Sequence, residues 1–284
     1  MAPVLNHAVL KGPSMSSKNP TCAQLFHRLH HDGLLLLANA WDAGSARVIE
    51  SVGAKALATT SAGVAWAHGY ADGDKLPLRL LVQTVSSITR VTRVPLSVDF
   101  ESGYSDDAKA VGEGVASLID AGAVGINIED GTGEVDVLCR KIEAARGAAA
   151  RLGVELFVNA RTDVYLKRLV PEDQRVDETI RRAARYGEAG ANGIFAPGVS
   201  DSDEIRRLVT EINLPLNVLA WAGLPPASAL ERLGVRRLSA GSSISEAAYG
   251  HAAQLARALF ETGDPATVLG GALDYAALQA LVTR

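Results

Sequence analysis

Short apolar runs alternate with helical patterns eight times along this chain, and that rhythm constrains the fold more than any other feature. The runs are LLLLANA (34–40), ALATTSA (56–62), PLSVDF (95–100), AVGINIE (123–129), ELFVNAR (155–161), NGIFAPG (192–198), PLNVLAW (215–221) and RRLSAG (236–241). They are rich in Val, Ile and Leu and lack the polar alternation of a half-solvated strand, so they read as strands buried in a parallel sheet. Helical segments between them stop at Gly53, Gly122, Gly153, Gly190 and Gly234, the residue type that accepts a left-handed conformation just past a helix end. Strand–helix alternation implies parallel strands with right-handed crossovers. Eight units imply a closed (β/α)8 TIM barrel. The rival is an open doubly wound sheet, but no GxGxxG follows a strand and no GxxxxGK[ST] occurs.

A chain of 284 residues accommodates one such barrel. Residues 1–19 are expected to form a flexible leader, and residues 20–284 a single barrel domain. The segment DPATVLGGALDYAALQALV (264–282) adds a helix beyond the eighth unit. Its stripe of Leu269, Leu273, Ala276, Ala277, Ala280 and Leu281 must be buried somewhere, and a partner subunit is a candidate.

Net charge is −4, from 28 basic and 32 acidic residues, which argues against a nucleic-acid-binding surface. No apolar stretch approaches the roughly 20 residues that span a bilayer. Cys22 and Cys139 are too few for a disulfide framework and lack metal-ligand spacing, so a cytoplasmic location is expected. Cys139 lies on a helix beside Leu138, Ile142 and Ala145 and reads as a small core residue. The six histidines show no ligand spacing; His68 alone falls near the candidate site.

Four acids stand at or just past the ends of the third and fourth apolar runs: Asp99, Glu101, Glu129 and Asp130. Carboxylates at the ends of adjacent buried strands repel one another unless a cation sits between them. Oxygen ligands without nearby His or Cys select Mg2+, with Mn2+ as an alternative. Asp106 and Asp107 are better placed to cap the following helix, which leaves the strand-end acids without that task. By period-two geometry Asp99 and Glu101 share one side of their strand.

Barrel chemistry sits at the C-terminal strand ends. The polar residues collected there are Asn39, Trp41 and Asp42; Ser61, then Asp72 and Asp74; Tyr104; Asn159, Arg161 and Asp163; Asn217; and Ser242 and Ser243. Arg161 is either an ion-pair partner of Asp163 or Glu129, or a bidentate clamp for a substrate carboxylate. Ser61-Ala62-Gly63 is either a plain turn or a backbone cradle for an anion. Asn217 is a further substrate-facing candidate. No Lys stands at a strand end, which disfavours Schiff-base chemistry.

The segments ANAWDAGSARVIESVGAKALATTSAGVAWAHGYADGD, SVDFESGY, NIEDG and VNARTD, in that order, resemble the isocitrate lyase/phosphoenolpyruvate mutase superfamily, from about residue 22 to the C-terminus. The likeness is greatest to its short PEP mutase-like members. The resemblance implies a barrel whose last helix is exchanged within a homodimer or homotetramer. It also implies an Mg2+-dependent lyase that cleaves or forms a C–C or P–C bond of a small 2-oxo or 2-hydroxy acid through a metal-stabilised enolate. By position, Asp99 corresponds to the direct metal ligand, and Asp72, Glu101 and Glu129 to acids that hold the metal's waters. Trp41, Ser61 and Gly63 correspond to the oxo-acid cradle, with Ala62 between them, and Arg161 to the carboxylate clamp. Arg161, Glu129 and Asp72 are the residues expected to serve catalysis.

The C–C lyases of that superfamily carry a Lys-Lys/Arg-Cys-Gly-His motif on a mobile loop after the fourth strand, whose Cys is the acid/base. Here the segment reads IEDGTGEVDVLCRKI: the motif is absent, the loop is short, and Cys139 falls on the next helix. Substrates that need little lid chemistry, such as an oxaloacetate-like acid, are therefore favoured over isocitrate-type cleavage. The alternative is a weakly catalytic member that binds metal and oxo-acid without the lid Cys.

Overall fold

The computed structural model describes residues 19–283. The leader expected over 1–19 lies, except for Asn19, outside them. The chain starts with α1 (Asn19–Leu29), β1 (Leu35–Leu37), β2 (Asn39–Ala40), α2 (Ala43–Ser51), β3 (Leu57–Thr59), α3 (Ser61–Ala67) and α4 (Leu78–Val91). It continues through β4 (Leu96–Asp99), α5 (Ala108–Asp120), β5 (Gly125–Glu129), α6 (Val135–Leu152), β6 (Phe157–Arg161) and α7 (Arg175–Glu188). The remainder is β7 (Gly193–Phe195), α8 (Ser202–Glu211), β8 (Leu216–Leu219), α9 (Ala227–Leu233), β9 (Arg237–Ser239), α10 (Ser243–Thr262) and α11 (Tyr275–Val282).

All strand pairings are parallel, in the order β1-β9-β8-β7-β6-β5-β4-β3-β2. Because β1 and β2 are consecutive halves of the first apolar run, β1 pairing β9 while β2 pairs β3 brings the sheet round into a nearly closed TIM-type barrel. The first strand breaks at Ala38, and the polar side chain that follows stitches the seam. Asn39 Nδ2 donates to the Thr59 carbonyl at 2.7 Å, and Asn39 Oδ1 accepts from the Gly241 N–H at 2.9 Å.

Local sequence explains the helix ends. Asp42 caps α2 and forms a reciprocal box with Ser45. Asp107 caps α5 by accepting from the Lys109 N–H at 3.0 Å, as the sequence indicated. The five glycines expected as helix stops all take positive φ. Helices cover the barrel through apolar stripes such as Leu81, Val85 and Ile88 of α4, each about 1.5–3 kcal/mol more stable buried than exposed.

Inside the barrel, α1 closes the N-terminal end. Phe26 meets Phe157 edge-on, and His30 stacks on Phe157 at 3.9 Å between ring centres. Burial, with Arg237 nearby, pushes the His30 imidazole down to about 3, so it is neutral at physiological pH. Above this plug lies a buried polar layer. Asn127 Oδ1 accepts from Asn159 Nδ2 at 2.9 Å and from Arg237 Nη2 at 3.3 Å, and Arg237 Nε donates to Ser239 Oγ at 3.1 Å.

The segment 264–282 is not one helix. A 3-10 turn at Pro265–Val268 is followed by Gly270-Gly271 and then α11. Gly is the poorest helix former apart from Pro, and two in succession end the element. α11 lies against α2, where Arg47 Nε donates to the Leu281 carbonyl at 2.7 Å, while Leu269 and Leu273 remain exposed. α10 leaves the barrel wall, with Ser245 its one buried residue. Its departure uncovers the outer face of β1, where Leu36 is 56% exposed. Among the described residues no helix is long and apolar enough to cross a membrane.

Candidate active site

The C-terminal ends of β2 through β6 gather most of the expected residues. Asp99 terminates β4. Its N–H donates to Thr59 Oγ1 at 2.8 Å, and its Oδ2 accepts from the Ser61 N–H at 3.1 Å. Ser61, Ala62 and Gly63 are neither a turn nor a loop: they are the first residues of α3, whose N-cap Thr60 makes no side-chain cap. The positive end of α3 therefore faces Asp99. Gly63 has no room for a side chain. A Cβ there would stand 2.7 Å from Thr60 Cγ2, 2.9 Å from Trp41 Cβ and 3.0 Å from Ser245 Oγ. That crowding brings the half-buried Trp41 against the first turn of α3.

Glu101 reaches the site by a different route from strand alternation. β4 ends at Asp99, and Glu101 sits beyond it in a left-handed turn with φ of 48°. Its carboxylate accepts from the Asp74 N–H and the Tyr104 hydroxyl, tying the 69–74 loop to the barrel mouth. Asp72 is exposed on that loop, and its charge is among those that disfavour ionisation of Asp99.

Glu129 ends β5 and pairs with Arg161 at the end of β6, Nη1 to Oε2 at 2.8 Å. Arg161 Nε donates to Asp163 Oδ1 at 2.7 Å. Asp163 is fully buried and pairs through its other oxygen with Lys167 at 3.1 Å. Asp130, the fourth strand-end acid, points the other way. It accepts from the Asp163 N–H, from Arg182 Nη1 and from the Tyr186 hydroxyl, and so belongs to the packing of α7. Neighbouring strand residues face opposite sides, and the side that Glu129 takes excludes Asp130.

The other candidates divide. Asn217 lies in the barrel interior, 1% exposed; Oδ1 accepts from Ser239 Oγ at 3.1 Å, and Nδ2 has no hydrogen-bond partner. Asn39 and Asp42 serve the seam and a helix cap. Ser242 donates to Glu246 Oε1, and Asn159 joins the polar layer. His68 is tied to Thr84 Oγ1 at 2.9 Å, and Cys139 is buried as expected. Reading the sequence missed Lys167, although its placement four residues after Asp163 was a signal for an (i, i+4) pair.

Three carboxylates here resist ionisation. Burial pushes Asp99 up, with Arg161 opposing; burial likewise pushes Glu101 up, against its two hydrogen bonds. Burial raises Glu129 to about 8 in spite of Arg161. One guanidinium thus fails to neutralise the cluster, and a bound cation would. Among the described residues no three His, Cys, Asp or Glu side chains converge as a ready-made cage. Glu101 and Glu129 are engaged by protein donors, so the donor set suits a hard cation held by few direct carboxylates and several waters, the habit of Mg2+.

The family model for phosphoenolpyruvate phosphomutase matches residues 26–260. An uncharacterised protein of Mycobacterium tuberculosis (strain ATCC 25618 / H37Rv) is 38% identical over 261 residues, covering 90% of this chain and 95% of that one. An oxaloacetate decarboxylase of Pseudomonas paraeruginosa (strain DSM 24068 / PA7) is 32% identical over 175 residues, 57% of this chain and 58% of that one. Among solved structures, a Burkholderia cenocepacia J2315 protein provisionally described as a phosphonomutase superposes with a TM-score of 0.79 at 42% identity, covering 83% of this chain and 98% of that one.

Proposed function

The chain belongs to the phosphoenolpyruvate phosphomutase family, a family of lyases and mutases, and on that premise we propose that it is a divalent-metal-dependent lyase of a small 2-oxo acid, an oxaloacetate-like dicarboxylate first. The observation that carries this reading is the group of three carboxylates at the barrel mouth, Glu101 buried and Asp99 and Glu129 half-buried, all held above their ordinary range although Arg161 pairs with Glu129. Asp99 would hold Mg2+ directly, with Glu101, Glu129 and Asp72 reaching it through water. A bound ion would supply Lewis-acid withdrawal of charge from the substrate's 2-oxo group.

The chain's own residues supply the rest. The first turn of α3 offers backbone N–H groups at Ala62 and Gly63, which have no intrahelical acceptor, to a carboxylate lying against Trp41. Arg161, fixed by Glu129 and Asp163, faces the same mouth and clamps that carboxylate from the side. Cleavage of the bond beyond C3 leaves an enolate. The loop after β5 is too short to close a long lid, and decarboxylation is the cleavage that asks least of one. The 32% identity to an oxaloacetate decarboxylase supports the same choice.

The test is turnover of oxaloacetate, 2-methylisocitrate, dimethylmalate and phosphonopyruvate with Mg2+ and with EDTA. Mg2+-dependent loss of oxaloacetate supports the proposal, and no turnover of any of the four refutes it. The missing lid motif favours one second reading, a protein that binds oxo-acid and metal without catalysis. Tight binding without turnover would establish it.

The assembly belongs to the same proposal. Outside β1, a groove of about 330 Å³ is lined by Leu29, Leu34, Leu36, Ile49 and Val52, at the position a barrel's last helix ordinarily covers. α10 projects with Tyr249 and Phe260 exposed. Exchange of the C-terminal helices between two copies would fill the first and bury the second.

A further inference from the structure

Beside Glu129 lies a cavity of about 310 Å³, walled on one side by the short Gly131–Glu134 loop and on another by two ammonium groups, Lys141 and Lys167. Lys141 is committed elsewhere. Its Nζ donates to the Ser102 carbonyl at 2.8 Å and stands 3.8 Å from Asp106, and its side chain is 5% exposed. Lys167 is differently placed. Its side chain is 41% exposed, and Nζ lies 3.3 Å from where a Cβ on Gly131 would stand, so the ammonium reaches across to the loop that occupies the lid's position.

The backbone beneath Lys167 is built to hold it there. The Lys167 N–H donates to the Asp163 carbonyl at 2.8 Å, and the Leu169 N–H to the Val164 carbonyl at 3.1 Å, forming a single helical turn. Arg168 closes that turn with φ of 51°, a left-handed conformation that costs a non-glycine residue about 1 kcal/mol and persists only where the surroundings impose it. Asp163, buried at the base of the turn, accepts a hydrogen bond from Arg161 with one oxygen, and its other oxygen lies in ion-pair range of Lys167 Nζ at 3.1 Å. One carboxylate thus sets the carboxylate clamp and the ammonium relative to each other.

We propose that Lys167 is the general acid of this site, delivering a proton to C3 of the enolate. The proposal rests on the metal and 2-oxo-acid reading given above. In decarboxylation the C3–C4 bond breaks, CO2 departs, and the electron pair becomes the C2=C3 bond of the enolate. The Lys167 Nζ–H bond then breaks with its electrons staying on nitrogen, C3 takes the proton, and C2 returns to a carbonyl. The neutral amine regains a proton from water at the cavity mouth. A short loop and an ammonium on a fixed turn thereby replace a long lid with its own acid.

The test separates this step from the cleavage. Exchange of the pyruvate methyl protons in D2O with Mg2+, followed by proton NMR, reads proton transfer at C3 alone. Wild type, Lys167→Met and Lys167→Arg are compared, with pyruvate binding measured by calorimetry and folding by thermal denaturation. The expected result is unchanged Mg2+-dependent binding in all three, with exchange lost by about 100-fold or more in both variants, the scale of a missing general acid. Exchange surviving in either variant overturns the proposal. Binding lost in Lys167→Met and kept in Lys167→Arg also overturns it, because Lys167 would then be a cation that holds a carboxylate. Wild-type protein that binds pyruvate without exchanging it overturns the proposal and leaves the oxo-acid site standing. Wild-type protein that does not bind overturns both.

Discussion

Replacing Gly63 by Ala adds one methyl group at the most crowded point of the candidate site. The new Cβ would stand 2.7 Å from Thr60 Cγ2 and 2.9 Å from Trp41 Cβ. Ordinary carbon contacts begin about 3.5 Å apart, so α3 or Trp41 must give way by several tenths of an ångström. Overpacking of this kind costs about 1–3 kcal/mol, and Ala recovers roughly 0.5–1 kcal/mol of helix propensity. The balance is a loss of about 1.5 kcal/mol, or some 3–6 °C in Tm for a domain of this size. The displaced element carries the Ser61 N–H that Asp99 accepts, so oxo-acid affinity falls together with stability. Gly147, inside α6, is the control: a Cβ there meets nothing nearer than Arg151 Nη1 at 3.6 Å. Gly147→Ala is expected to gain about 0.5–1 kcal/mol and to leave binding alone. The assay is thermal unfolding with calorimetric titration of pyruvate in Mg2+. A Gly63→Ala protein whose Tm rises as that of Gly147→Ala does would refute the packing argument.

Further outcomes follow from the acid cluster and from the uncovered barrel wall. Glu129 moves from 4.5 to about 8 on folding, so in metal-free protein its favourable contribution is complete below pH 4.5 and is lost as pH rises through 8. At about 1.4 kcal/mol per tenfold change in proton affinity, the loss is on the order of 5 kcal/mol. Tm in EDTA should therefore fall between pH 5 and pH 8.5, and Mg2+ should raise it more at the higher pH; an equal Mg2+ effect at both would contradict this. Light scattering should give the mass of a dimer or tetramer, and Leu36→Glu should shift the population towards monomer. A wild-type monomer would end the helix-exchange proposal.

Much of the architecture was legible because period and punctuation agree. Each strand of the barrel was visible as an apolar run, and Gly122, Gly153 and Gly234 marked helix ends through a backbone conformation that other residues resist. Arg161 and Glu129 were legible because both end long buried runs whose register the barrel fixes. Asp130 misled because a residue one step past a strand end can face either side, and its partners Arg182 and Tyr186 lie 52 and 56 residues away. Glu101 reached the expected place by a left-handed turn that no periodicity encodes. Ser61-Ala62-Gly63 stayed open between a turn and an anion cradle because α3 starts directly at the strand end and lacks a side-chain cap to announce it. The interior layer of Asn127, Asn159 and Ser239 did leave a signal, one polar residue inside each apolar run, but its meaning depends on partners from distant strands. The C-terminal segment looked like one helix because its apolar spacing runs on through Gly270-Gly271, where the backbone turns.

In the function proposed above, Asp99 and its neighbouring acids hold a divalent cation on which oxo-acid binding depends. Calorimetric titration of pyruvate and oxaloacetate into wild type and Asp99→Ala, each with Mg2+ and with EDTA, decides whether they do. Wild type is expected to bind in Mg2+ alone, and the folded variant under neither condition. Binding of equal strength in EDTA, or retained in Asp99→Ala, would contradict it and make the acid cluster a structural feature of the barrel mouth.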